Sequence, residues 1–196
     1  MMIRVGLTGG IGSGKTIIGK MFGLLHIPVF SADNEAKMLL GTNSSVRSRL
    51  ISIFGPDIYL PNQTIDRKKF ASIIFNDQYL LKQVNEIVHP EVHRSFYKWS
   101  EKQKAPFVLY EAAILFESGH YRDMDYTILV VADEDTRLGR VVQRDSDTEE
   151  QIRQRMANQW TDEQKVKLAN FIIQNNGREL IIPQVLEIIK TIKTDG

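Results

Sequence analysis

The sequence predicts an α/β protein built on a five-stranded parallel sheet, and three observations carry that prediction. The first is Gly9-Gly10-Ile11-Gly12-Ser13-Gly14-Lys15-Thr16, which meets the phosphate-loop pattern G-x-x-x-x-G-K-[ST] at every specified position. The second is the alternation of short apolar runs with segments of helical periodicity, the arrangement that covers both faces of a parallel sheet. The third is a stretch from Gly41 to Lys104 with helical patterning and no convincing strand, which interrupts the alternation as an insertion.

The first strand is read at Met2-Ile3-Arg4-Val5-Gly6-Leu7, short, apolar and β-branched, and the helix after the loop carries Ile18, Met21, Phe22 and Leu25 at helical spacing. Strand, loop and helix thus stand in the order that a triphosphate site requires. Glycines let backbone N–H groups turn toward an anion, and the helix N-terminus behind them adds partial positive charge. Lys15 is placed to reach the β- and γ-phosphates, and the Thr16 hydroxyl to meet the magnesium ion carried by the triphosphate.

A second strand is read at Ile27-Pro28-Val29-Phe30, ending at Ser31-Ala32-Asp33. The carboxyl ends of parallel strands line the ligand crevice, so Asp33 either serves that rim or caps the next helix, read from about Asn34 to Leu40. Within the insertion, Val46, Leu50, Ile53 and Phe54 form one helical stripe. Asp66 can cap a helix bearing Phe70, Ile73 and Ile74, while Leu80, Leu81, Val84, Ile87 and Val88 mark another. His89-Pro90 reads as the start of a further helix with Pro at its first position. His89 and His93 have the i, i+4 spacing of a helical metal pair, against which stand the lack of cysteine and of an identified carboxylate ligand; a capping or substrate-contacting His89 is the alternative.

Phe107–Glu111 is a third strand delivering Glu111 to the carboxyl rim, where an acid commonly supports a magnesium shell. Tyr126–Val131, apolar on both faces, is the fourth and central strand; Phe171-Ile172-Ile173 is a fifth. A closing helix carries Leu180, Ile181, Val185, Ile188 and Ile189. Between strands four and five, Arg137, Arg140 and Arg144 share one helix face, followed by two capping boxes, Thr148-x-x-Gln151 and Thr161-x-x-Gln164. This basic stripe is either a solvated face paired with Asp145, Asp147, Glu149 and Glu150, or a mobile lid that stands in solvent when open and carries arginines to the phosphates when closed.

Composition excludes several classes. A chain of 196 residues with 42% apolar content can bury a substantial core. Twenty-five basic against 24 acidic residues leave a net charge of +1, which gives no sign of a nucleic-acid partner. Zero cysteines exclude disulfides and thiolate metal sites and are compatible with the cytoplasm; no apolar run approaches membrane-spanning length, and no cleavable leader is evident. A GTP-dependent switch would carry D-x-x-G and N-K-x-D segments, and neither occurs. Oligomeric state is left open.

The chain resembles the dephospho-coenzyme A kinase family from Ile3 to about Gly177. The opening Gly6-Leu7-Thr8-Gly9-Gly10-Ile11-Gly12-Ser13-Gly14-Lys15 is closer to that family than to a generic phosphate loop. Asp33, Asp66-Arg67, His89-Pro90, Ile114-Leu115-Phe116-Glu117, Arg140, Arg144-Asp145, Arg155, Gln159 and Asn175 follow in the family's order. Departures are Ser31 for an acid, Glu111 for Asp, Ala113 for Pro, Arg137 for Gln and Asn170 for Asp. The resemblance implies transfer of the ATP γ-phosphoryl group to the 3′-hydroxyl of dephospho-coenzyme A, with magnesium. Its implied catalytic residues are Lys15, Asp33 and Arg140; its nucleotide site uses Gly12, Ser13, Gly14, Lys15, Thr16, Ile17, Arg144 and Asn175, with Thr16 on the metal. It also implies a phosphate-loop kinase of three regions: a core of residues 1–31, 105–133 and 166–196, a helical substrate domain at 32–104, and a lid at 134–165. A kinase of another small hydroxyl acceptor, a nucleoside or nucleotide, would share everything but the acceptor pocket.

Overall fold

In the computed structural model, which describes residues 2–74, 77–145 and 147–195, the apolar runs form one parallel sheet. Its strands are β1 (Ile3–Gly9), β2 (Val29–Ser31), β3 (Phe107–Glu111), β4 (Tyr126–Val131) and β5 (Phe171–Gln174), in the spatial order β2-β3-β1-β4-β5. All four pairings are parallel, with Val5 opposite Leu109 on one side of β1 and Tyr126 on the other. The chain goes from β1 to β2 and β3 on one side and then crosses past β1 to β4 and β5 on the other, so the carboxyl end of β1 lies at the switch point where an open α/β sheet leaves a crevice.

Side-chain alternation along β1 sends Val5 and Leu7 into a core with Phe107, Leu109, Ile128, Val130 and Ile173 from its neighbours. Two helices close that face: α1 (Lys15–Leu24) through Ile18 and Phe22, and the terminal helix through Val185, Ile188, Ile189 and Ile192. The second strand is shifted from its expected place: Ile27 and Pro28 precede it, and Pro28, which has no N–H to give a ladder, contributes only its carbonyl to Leu109. Asn170, the departure beside β5, accepts from both the N–H and the hydroxyl of Thr127 through Oδ1, at 2.8 and 2.9 Å. A carboxylate oxygen could accept the same two bonds, so this change of Asp for Asn leaves the β4–β5 connection intact.

The chain divides into two bodies, Met1–Ser31 with Lys102–Gly196, and Ala32–Glu101. Among its described residues the regular structure of the second is helical apart from a single bridge between Tyr59 and Ile65: α2 (Ala32–Thr42), α3 (Ser44–Phe54), α4 (Arg67–Ile74) and α5 (Gln78–Ser100). Asn43 caps α3 through Val46 N–H, Asp66 accepts from Lys69 N–H at the start of α4, and Asp77 caps α5. Phe54 and Phe70 meet edge to face at 5.5 Å. Pro90 corrects the sequence reading: no helix starts there, and α5 runs through it. Proline removes one N–H from the ladder, but the stripe Val84, Ile87, Val88, Val92 and Phe96 is buried on both sides of it and keeps a single helix. Ile53 also departs from its expected stripe and is exposed.

In the first body, α6 (Glu134–Arg144), α7 (Glu149–Ala157) and α8 (Asp162–Val166) lie between β4 and β5, with both capping boxes formed, and α9 (Ile181–Asp195) ends the chain. Leu138, Val141 and Ile152 join α6 to α7 in a small core of their own, against which Ile11 of the glycine-rich loop packs.

Candidate active site

The loop from Gly9 to Thr16 turns between the end of β1 and the start of α1, at the switch point of the sheet. Gly12 and Gly14 take φ of +81° and +93°, a region that L side chains avoid. Each is also closely covered. A Cβ on Gly12 would collide with the Arg137 carbonyl, and one on Gly14 with the Asn175 amide. The loop's curvature is therefore held from outside as well as by its own glycines. Asn175 Nδ2 donates to Ser13 O at 2.7 Å, and Arg140 Nη2 donates to Asn175 O at 2.8 Å. Arg140 Nη1 lies 3.4 Å from Gly12 O. The Asn175 N–H in turn donates to Val131 O, which ties this strut to β4.

Carbonyls drawn outward leave the N–H groups of a loop facing the other way, which is the geometry of an anion nest. Ser13 N–H bonds to Gly10 O, and Ile17 N–H to Gly14 O, so Ile17, exposed through its side chain, takes part in the turn through its backbone.

Glu111 ends β3 beside the loop. Its Oε1 accepts from Lys15 Nζ at 2.9 Å and from Thr16 Oγ1 at 2.8 Å, with side chains only 12% exposed for Lys15 and 8% for Glu111. Ser31 of β2 pairs in register with Glu111, so where the related pattern has an acid on each strand this rim has one, on the longer side chain. Asp33 lies in the first turn of α2, half-buried, two residues past the end of β2, in the second body. It follows the helix start and so is no N-cap, which corrects one of its two expected roles.

The arginine stripe of α6 divides. Arg137 lies against Gly10 and Gly12, and Arg140 bonds the loop through Asn175; Arg144, 63% exposed, turns to Asp145 at 2.7 Å. The hydrogen bond from Arg144 draws the Asp145 carboxyl below the usual carboxylate range, Arg155 adding to it, and the same bond raises Arg144. Arg153 and Arg155 likewise pair with Glu134, Glu149, Asp145 and Asp147. The expectation that the stripe stands in solvent thus holds for its last arginine and fails for Arg140, which the loop carbonyls and Asn175 draw inward.

The two should behave differently on substitution. Arg140→Ala is expected to lose about 1.5–3 kcal/mol, the usual contribution of a hydrogen bond to a charged group, and to melt several degrees below the parent. Nucleotide affinity should fall with it as the loop loosens. Arg144→Ala should melt like the parent, since exposed ion pairs contribute little. Thermal melts of the two variants side by side, with nucleotide titrations, check this.

The profile of the dephospho-CoA kinase family matches residues 3–180 of the sequence. The chain belongs to the dephospho-CoA kinase family. Members include the dephospho-CoA kinase of Porphyromonas gingivalis, 39% identical over 194 residues that cover 98% of this chain and 96% of the relative. That of Bacteroides fragilis is 36% identical over 190 residues, covering 96% and 92%. Among solved structures, TT1252 from Thermus thermophilus gives a TM-score of 0.84 at 29% identity, covering 99% of this chain and 97% of that one. The dephospho-CoA kinase from Campylobacter jejuni gives 0.72 at 25% identity, covering 100% and 99%. Shikimate kinase from Acinetobacter baumannii shares the fold alone, with a TM-score of 0.54 at 14% identity. Family membership makes the chain an ATP-dependent kinase.

Two features of the site were not readable as contacts. The closure of Glu111 on Lys15 and Thr16 spans 96 and 95 positions, and sequence reasoning placed Glu111 only on the rim. Gln159, noted only as part of the family pattern, reaches Ile11 N–H at 2.9 Å and Ala113 O at 3.0 Å. Among the described residues no group of three or more candidate ligands contains both His89 and His93. Among the same residues, no helix is long and apolar enough to cross a membrane.

Proposed function

We propose that the chain transfers the γ-phosphoryl group of ATP to the 3′-hydroxyl of dephospho-coenzyme A. The observation that carries the reading is the family match over residues 3–180 together with a phosphate loop whose Lys15 and Thr16 converge on one carboxylate. In the reaction the bond from the γ-phosphorus to the bridging oxygen breaks, the 3′-oxygen bonds to phosphorus, and ADP leaves. Asp33 takes the hydroxyl proton or orients the group. The N–H groups of the loop between Gly12 and Thr16, other than that of Ser13, which bonds within the turn, cradle the phosphates, and the Lys15 ammonium follows the charge that develops on the transferring oxygens.

Thr16 Oγ1 and Glu111 Oε1, 2.8 Å apart, are the hard oxygen donors that suit magnesium, and these two residues would hold it directly or through water. Bound there, the ion would supply charge neutralisation to the phosphates. Residues 32–104 receive the acceptor, and residues 134–165 act as a lid that excludes water and brings Arg144 to the nucleotide. We read the chain as cytoplasmic, with which its lack of cysteine is compatible.

The test is ADP release with ATP and magnesium across a panel of acceptors. Dephospho-coenzyme A should exceed every nucleoside and nucleotide. Faster turnover of one of those would replace this acceptor with it.

A further inference from the structure

The structure assigns to Gln159 a positioning role: its carboxamide fixes the tip of the phosphate loop against the segment that leaves Glu111, and so sets where the γ-phosphate is held. This rests on the kinase reading above. Gln159 Oε1 accepts the Ile11 N–H at 2.9 Å, and Nε2 donates to the Ala113 carbonyl at 3.0 Å. Ile11 is in the middle of the loop, and Ala113 is two residues past Glu111. One planar amide therefore spans the two walls of the site, the loop with Lys15 on one side and the strand end with the carboxylate on the other. The carboxamide meets both partners, because one needs an acceptor and the other a donor.

The residue behind Gln159 is anchored as firmly. Trp160 N–H donates to Glu117 Oε1 at 3.1 Å, and Lys165 Nζ lies 2.9 Å from the same oxygen, with Lys165 fully buried and Glu117 12% exposed. A buried ion pair is a poor source of net stability, since desolvation offsets most of its attraction. Here it fixes the backbone of residue 160 and so the register from which Gln159 reaches forward. The return from α7 is thus held to the core at Glu117 and to the loop at Ile11, which also packs against the α6–α7 core. Any shift of these helices is passed to the loop through Gln159.

Two variants separate positioning from bulk structure. Gln159→Met keeps the volume and removes both hydrogen bonds; Gln159→Glu keeps an acceptor for Ile11 and sets a carboxylate oxygen against the Ala113 carbonyl. Both should melt within about 6 °C of the parent, as expected for one or two partly buried hydrogen bonds in a chain of this size. Turnover should fall at least about tenfold, within what a misplacement of about 1 Å can produce. ADP, which has no γ-phosphate, should bind within about twofold of the parent, whereas an unreactive ATP analogue should lose several-fold, by the same reasoning on position.

Measured together, turnover, the two affinities and the melts decide the matter. Unchanged turnover in folded Gln159→Met protein would overturn the assignment, as would equal losses for ADP and the analogue. Loss of cooperative melting in both variants would overturn it too, leaving Gln159 a structural residue. If the parent itself failed to phosphorylate dephospho-coenzyme A, the proposed function would fall, while the ratio of the two affinities would still read the role of Gln159.

Discussion

Lys15→Ala is expected to reduce turnover by roughly a hundredfold to a thousandfold, the effect of withdrawing one preorganised charge from a site where negative charge develops. The loss should not be confined to chemistry. Lys15 and Glu111 are an almost buried pair at 2.9 Å, and taking one partner from such a pair costs about 3–5 kcal/mol because the other charge is left uncompensated. The variant should therefore melt well below the parent, and low activity alone would not show what Lys15 does. Adding Glu111→Gln separates the two effects. The neutral amide can still accept the Thr16 hydroxyl but leaves no stranded carboxylate, so Lys15→Ala/Glu111→Gln should recover much of the lost melting temperature and none of the turnover. Recovery of turnover along with stability would mean that the single variant fails because of the stranded Glu111 carboxylate, and that neither the Lys15 charge on the phosphates nor the Glu111 carboxylate on the metal is required.

The parallel five-stranded sheet was legible because each strand is a short apolar run and its helices carry their own periodicity. Tyr126–Val131 shows the strongest case: all but its first residue are buried, as a strand covered on both faces requires. What could not be read was pairing. That β3 lies on one side of β1 and β4 on the other is a matter of contacts more than a hundred positions apart. Local signals failed where packing outweighed them, as at Pro90, whose helix-start signature is overridden by a stripe of buried side chains on either side.

At the site, the motif gave the loop and its lysine because their chemistry is contiguous in sequence. The supports of the loop are not. Asn175, 7% exposed, is 162 positions from the Ser13 carbonyl that it holds. Arg140 shows the limit of helical spacing as a guide. The i, i+3, i+7 pattern places three arginines on one face but cannot tell that the first two meet the loop and the third a carboxylate of its own segment.

Asp33→Asn should lower turnover at least about a hundredfold, the low end of what a general base contributes, and leave ADP affinity nearly unchanged. Asp33 stands just past the strand that neighbours β3, and on the proposed reading its carboxylate faces the acceptor hydroxyl, which ADP lacks. The substitution keeps the side chain's size and its hydrogen-bonding oxygen and removes its charge. A purely helical role for Asp33 predicts something else. As an acid in the first turn of α2 it interacts favourably with the helix dipole, worth about 0.3–1 kcal/mol, so asparagine would cost a few degrees of melting temperature and no turnover. Steady-state rates, read beside thermal melts, discriminate the two. A variant with parental turnover and a slightly lower melting temperature would leave Asp33 a helix-stabilising acid, and the base would have to be sought elsewhere.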